Sequence, residues 1–241
     1  MENPWIHLQH ANGKYFLPDD LPFIEQNNKK CKSSNDPKYM HLGYLPEPFI
    51  GNKDAGVYFL LANPGRARND DSLINIDPKL KEVTIKNIRH EEQECRFYPL
   101  YEDFKKFGVY KWWSNCLKDL TKLGISREFL INNFFSVELY GYHSFIVNGG
   151  VLKKGNRFPS IEYNIFLVRN AIKENKLILL GRSVNNWFSL VPELRNYENC
   201  HFVANNRGMA LSHTTLSPPV LRMMKDKMGL TKSTQVSYET V

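Results

Sequence analysis

The run Gly56 to Gly65, GVYFLLANPG, constrains the fold of this 241-residue chain more than any other segment. Its centre is apolar, β-branched and aromatic, carries no charge and is bounded by glycine. That is the pattern of a strand buried on both faces, as in a parallel α/β sheet. Asn-Pro-Gly then stops it. Proline fixes φ and glycine lacks a Cβ, so Asn63 is held just past the carboxyl end of the strand, where open α/β sheets place their ligands. The same three residues also suit an ordinary strand-to-loop turn, so the second half of the chain has to decide.

Later segments alternate between helical and strand periodicity. Asp77 to Gln93 opens on Asp-Pro, an N-cap with proline at the first helical position, and sets Leu80, Val83 or Thr84, and Ile88 near one face. Lys111 to Leu123 repeats Trp113, Cys116 or Leu117, Leu120 and Leu123 and ends at Gly124. Phe134 to Tyr140 reads as a second strand. Ser160 can cap a long helix with Ile161, Ile165, Val168 and Ile172 on one face. Lys176 to Leu180 is a third strand, a short helix starts at Ser183, His201 to Ala204 is a fourth strand, and Ser217-Pro218 opens a final helix through Met228. The alternation predicts an α/β fold: a three-layer α/β/α arrangement around a mainly parallel four-stranded central sheet, in one domain spanning residues 45–230. Turn formers and polar clusters make residues 1–44 an irregular arm, and the polar residues 231–241 a flexible tail.

With 42% hydrophobic and 13% aromatic residues the chain has ample material for a core. MENPWIHLQH lacks both a basic leader and an apolar h-region, and no run approaches the roughly 18 apolar residues of a membrane span. The expectation is a cytoplasmic protein with no membrane partner and no obligate protein partner. Cys31, Cys95, Cys116 and Cys200 contain no C-x-x-C pair, so they read as free thiols, and neither metal nor cofactor is required. A net charge of +7 suits a polyanion such as DNA without proving one.

The carboxyl ends of the four strands bring Asn63, the cluster Tyr142, His143 and Ser144, Arg182, and the loop with Arg207, Ser212, His213 and Thr215 toward one crevice. The dinucleotide fingerprint G-x-G-x-x-G, the phosphate loop G-x-x-x-x-G-K-[ST] and the hydrolase elbow G-x-S-x-G are all missing, which removes those three classes. An asparagine carbonyl can orient a water but cannot take its proton, so it suits a reaction whose leaving group departs early. Cleavage of an N-glycosidic bond is such a reaction, with an oxocarbenium-like transition state and negative charge growing on the base. A histidine could hydrogen-bond that base, although His213 also reads as a turn residue with local bonds.

At this point Ala62-Asn63-Pro64-Gly65 resembles the first motif of the uracil-DNA glycosylase superfamily, in the Gly-x-Asn-Pro-Gly form of its mismatch-directed branch. His213-Thr214-Thr215-Leu216-Ser217 is similar to the second motif, His-Pro-Ser-Pro-Leu-Ser, one residue shorter. The resemblance runs from about Leu45 to Met228 and includes the lead-in LPEPFIGN. It implies that Asn63 positions the hydrolytic water, His213 stabilises the leaving base, and Leu216 enters the duplex as a wedge when the nucleotide is flipped out. Ser212, Thr214, Thr215 and Ser217, with backbone N–H groups at the start of the final helix, would grip phosphates, together with Arg66, Arg68, Arg182 and Arg207. Phe97 or Tyr98 would stack on the base.

Two departures bear on the substrate. Gly65 stands where uracil-specific members have a tyrosine that blocks the C5 side of the pyrimidine, and the base-reading asparagine after the second strand is replaced by a neighbourhood of Glu138, Tyr140, Tyr142 and His143. The resemblance therefore implies a metal-free, monofunctional DNA glycosylase for a base bulkier than uracil, such as a hydroxymethylated or glucosylated pyrimidine of phage DNA, acting in phage defence. Alternatives are a non-catalytic nucleic-acid-binding protein of the same fold, a uracil or mismatch repair glycosylase, and a nucleosidase acting on free small molecules.

Overall fold

The apolar run becomes a strand with every residue buried, Val57–Leu60. A computed structural model describes residues 1–65, 77–204 and 209–230; Arg66, Arg68, Arg207 and the tail from residue 231 lie outside them. In chain order the strands are β1 (Gln9–Ala11), β2 (Lys14–Phe16), β3 (Phe49–Gly51), β4 (Val57–Leu60), β5 (Phe134–Val137), β6 (Leu177–Leu180) and β7 (Cys200–Phe202). The last five form one sheet in the order β3-β5-β4-β6-β7. β4 pairs in parallel with β5 and with β6, and β6 in parallel with β7; β3 runs antiparallel on the β5 edge, with Phe49 opposite Val137.

Side chains alternate across a strand, so each central strand feeds both faces. Val57 and Phe59 join Phe134, Leu177 and Leu179 on one face, while Tyr58 and Leu60 join Phe135, Val137, Ile178 and Leu180 on the other. The first face is covered by Leu80 of α2 (Pro78–Ile88), the Trp113, Cys116, Leu117 and Leu120 stripe of α3 (Gly108–Lys122), Leu130 of α4 (Arg127–Asn133) and Val220 and Met224 of α7 (Pro218–Lys227). The second is covered by Ile161, Ile165 and Val168 of α5 (Pro159–Lys173) and Trp187 of α6 (Val184–Leu190). The chain is thus α/β with a mostly parallel sheet between two helical layers.

The helix starts follow local chemistry. The Asp77 side chain accepts the Leu80 N–H at 3.0 Å and proline follows it, as the sequence predicts for α2. α3 stops at Gly124, whose φ of +87° suits a residue without a Cβ. Ser160 is not the cap of α5: Phe158 occupies that position, and the Ser160 N–H donates to the buried Asp20 carboxylate at 3.0 Å.

Three elements correct the expectation. The sheet has five strands rather than four, because FIG after Pro46 and Pro48 adds the edge strand β3. The first 44 residues are not irregular throughout. β1 and β2 form a hairpin closed by Asn12 and Gly13, both with positive φ, and α1 (Leu21–Lys29) follows; Trp5, Leu17, Ile24 and Met40 belong to the core. No helix among the described residues is long and apolar enough to cross a membrane.

Candidate active site

From β4 the chain crosses to β5 on one side and later to β6 on the other, so the strand order reverses around β4 and leaves a crevice at the carboxyl ends. A cavity of about 330 Å³ lies there, within the usual range for small-ligand sites of about 300–1,000 Å³. The loop after β4 supplies Asn63 and Gly65, the end of β5 supplies Glu138, the end of β6 supplies Arg182, the lead-in to β3 supplies Glu47, and the first turns of α3 supply Trp112 and Trp113.

The Asn63 amide is oriented by its neighbours. Its Nδ2 donates to the Ser144 carbonyl at 2.8 Å, to Ser144 Oγ at 3.0 Å and to its own neighbour's carbonyl, Pro64 O, at 3.1 Å. Two of these acceptors are carbonyls, which can only accept, so the nitrogen must face them and Oδ1 is the group left to offer the cavity. Ser144 is itself held: its hydroxyl donates to Ile146 O at 3.0 Å and lies 3.0 Å from Tyr140 Oη, which accepts the Asn148 N–H at 3.1 Å. His143 is buried and ties the loops together, with Nδ1 2.9 Å from Gly65 O and Nε2 2.9 Å from Leu45 O. Its Nε2 is also 3.9 Å from Glu47 Oε2.

Two carboxyl groups share the cavity. Glu47 Oε1 accepts the Tyr98 hydroxyl at 2.7 Å. Glu138 continues the β5 alternation onto the α3 face, and its Oε2 is buried without a hydrogen-bond partner among the described residues. Burial pushes its carboxyl up to about 8, with the Arg182 guanidinium and the Ala62 amide pulling down and the Glu47 charge pushing further up. A carboxyl in that state can donate a hydrogen bond at neutral pH.

The aromatic wall is not the one expected. Phe97 and Tyr98 are buried core residues: Phe97 meets Trp113 edge-on at 4.7 Å between centroids, one layer behind the cavity, and Tyr98 acts through Glu47. Trp113 lines the cavity from the core, and Trp112, 36% exposed, packs edge-on against it at 4.6 Å. The sequence pattern places Trp113 on the apolar stripe of its helix and leaves Trp112 beside it without a role; that off-stripe tryptophan was the readable signal. Glu47, too, stood unread in the lead-in.

The second motif falls elsewhere. Leu211 N–H donates to Cys116 O at 2.8 Å and Cys116 Sγ to Met209 O at 2.7 Å, which docks this loop on the second half of α3. His213 is exposed, outside the cavity lining, and close enough to Asp119 to help lower that carboxyl. Asp119 is about two helical turns beyond Trp112. The structure therefore does not bring Asn63 and His213 together in this cavity. Leu216 is 2% exposed and packed in the core, so it is not a surface wedge. Ser212 is buried, its Oγ 2.8 Å from Thr214 Oγ1, and the Thr215 hydroxyl donates to Ala210 O at 2.6 Å, so of the four hydroxyl residues only Thr214 and Ser217 are exposed. Pro218 and Pro219 remove two N–H groups from the start of α7, weakening it as a phosphate cradle. Tyr142 is likewise structural: its hydroxyl donates to Asp20 Oδ2 at 2.9 Å and accepts the Leu17 N–H.

No protein-family model, curated protein or solved structure matches the chain. The chemistry of the cavity carries the functional reading by itself.

Proposed function

We propose that the protein is a DNA N-glycosylase that hydrolyses the glycosidic bond of a flipped-out pyrimidine bulkier than uracil, leaving an abasic site. The observation that carries this reading is the composition of one cavity. A pinned asparagine amide is available to hold a water, carboxyl groups and an arginine provide polar contacts for a base, and Trp112 offers a half-open aromatic face for stacking. Gly65 adds the size argument. A Cβ built there meets nothing within 4 Å among the described residues, and Gly65 lines the cavity, so the glycine leaves room where a larger side chain would stand. Hydroxymethylated or glucosylated pyrimidines, as found in phage DNA, are bases that would use such space, and defence against phage is the setting that follows.

In this reading Asn63 Oδ1 accepts a hydrogen bond from the water and aims it at the sugar carbon as the base departs. Arg182, exposed at the rim, and the net charge of +7 favour the phosphate backbone. His213, Thr214 and Ser217 belong to the outer surface and contact the strand rather than the base. Flipping is required because the bond cannot be reached inside the stack.

A second reading, a nucleic-acid-binding protein without turnover, is favoured by one observation: His213 stands outside the cavity. Incubating the protein with duplex and single-stranded oligonucleotides carrying uracil, 5-hydroxymethyluracil, 5-hydroxymethylcytosine or its glucosylated form, followed by alkaline scission, separates the two. A glycosylase yields strand breaks at the modified base and prefers it to uracil. A gel shift without breaks on any substrate selects the binder, and release of uracil in preference to every modified base removes the size argument.

A further inference from the structure

We propose that Glu138 is the general acid of this site, protonating the departing base and so filling the part that the sequence motif assigns to His213. The inference rests on the glycosylase reading above and adds to it the class of base that gains most.

The geometry supports it from several sides. Glu138 directly follows β5, and Asn63 lies three residues past the end of the neighbouring β4: the Leu61 N–H donates to Val137 O and the Leu139 N–H to Ala62 O, so the two residues stand just beyond adjacent strand ends of one sheet. Its main chain is fixed on both sides, the N–H donating to Pro48 O at 2.9 Å and the carbonyl accepting from Asn164 Nδ2 at 2.9 Å. Glu138 lines the cavity, and its Oε2 is buried with no hydrogen-bond partner among the described residues, so the carboxyl keeps hydrogen-bonding capacity for a bound base. Glu47 from the lead-in to β3 and Arg182 from the end of β6 act on its charge, and His143 and Asn63 from neighbouring loops share the cavity lining with it. Of the two acids, Glu47 accepts the Tyr98 hydroxyl at 2.7 Å, whereas Glu138 Oε2 has no partner among the described residues. Two anions side by side in a poorly hydrated cleft are costly, and burial and the Glu47 charge push the Glu138 carboxyl up, so Glu138 holds the proton.

In the reaction the Glu138 O–H bond breaks and its proton passes to the ring nitrogen or oxygen of the base. The glycosidic C–N bond breaks with its electron pair staying on the base, which leaves neutral. The water held by Asn63 forms the new C–O bond at the sugar and gives its surplus proton to bulk water, from which Glu138 is reprotonated. Cytosine-type bases, with a basic ring nitrogen beside an exocyclic amino group, gain most; uracil-type bases can leave as anions and gain less.

The test is single-turnover abasic-site formation by the wild-type protein and Glu138→Gln on oligonucleotides with 5-hydroxymethylcytosine and 5-hydroxymethyluracil, from pH 5.5 to pH 9.5. Affinity is read on the 2′-fluorinated, uncleavable duplex, and folding by thermal melting. The acid role predicts a loss of about 100-fold or more for the cytosine-type base with affinity kept within about threefold. The loss is smaller for the uracil-type base, and the decline of rate above neutral pH is abolished in the variant. Activity of Glu138→Gln within threefold of wild type, or equal losses on both bases with an unchanged pH profile, overturns the inference while leaving the glycosylase reading intact. Absence of abasic sites with the wild-type protein on the whole panel overturns both.

Discussion

Three residues bear on the proposed chemistry, and their legibility differed. Asn63 was readable because proline and glycine must follow a strand end abruptly for a side chain to be presented there. Glu138 was visible as a charge in an apolar strand, but its protonation depends on Glu47, ninety-one positions earlier, and on Arg182. His213 was misplaced because a motif fixes order along the chain and not the docking of its loop, which here follows Cys116. At this scale Gly65→Tyr should fill space that no described residue occupies, at a backbone position without positive φ. Excision of a C5-modified pyrimidine should fall at least about tenfold relative to uracil, read by competition between two labelled oligonucleotides; an unchanged ratio would place the C5 side elsewhere. Glu138 also sets a pH dependence of stability. Between the ordinary glutamate value and about 8 the unfolded chain has released the proton that the folded chain keeps, so this residue makes stability fall as pH rises through that window. Urea unfolding of wild type against Glu138→Gln at pH 5 and pH 9 should show the variant gaining on the wild type at pH 9, on the order of a few kcal/mol.

Among the elements, long amphipathic helices and the apolar strands β4, β5 and β6 followed from periodicity, since their burial on two sides of a sheet dictates their composition. Short pieces did not. β3 is three residues after two prolines, and it is a strand because the exposed edge of β5 offers it a partner, which is a tertiary cause. The Asn12-Gly13 turn is different: Asn-Gly is a strong hairpin signal, and the polarity of the segment masked it. The fit between cap and helix in α2 gives a test at this level. Asp77→Ala removes the bond to Leu80 N–H and the ion pair with Lys106 at 3.1 Å, and should cost about 1 kcal/mol, read as a lower urea midpoint with unchanged slope. A midpoint unchanged within error would mean that α2 is held by packing alone.

For the whole molecule, the fold class was legible and the site only half so. Alternating strands and helices lead to a sheet whose order reverses at β4, and that reversal puts a crevice beside Asn63 whatever the loops do. Which loops then close over it is a matter of docking, and there Trp112 and Glu47 entered while His213 and Leu216 stayed out. The net charge of +7 and the exposed Arg182 predict binding that weakens with salt, with log affinity falling linearly against log salt concentration by fluorescence anisotropy; salt-independent binding would remove the phosphate contacts. The account as a whole turns on the Asn63 cavity being where the glycosidic bond breaks. The most direct measurement is single-turnover abasic-site formation by Asn63→Ala beside the wild-type protein on the best modified-base duplex. A loss of about 100-fold or more with DNA affinity preserved is the predicted result, and turnover at the wild-type rate would contradict it.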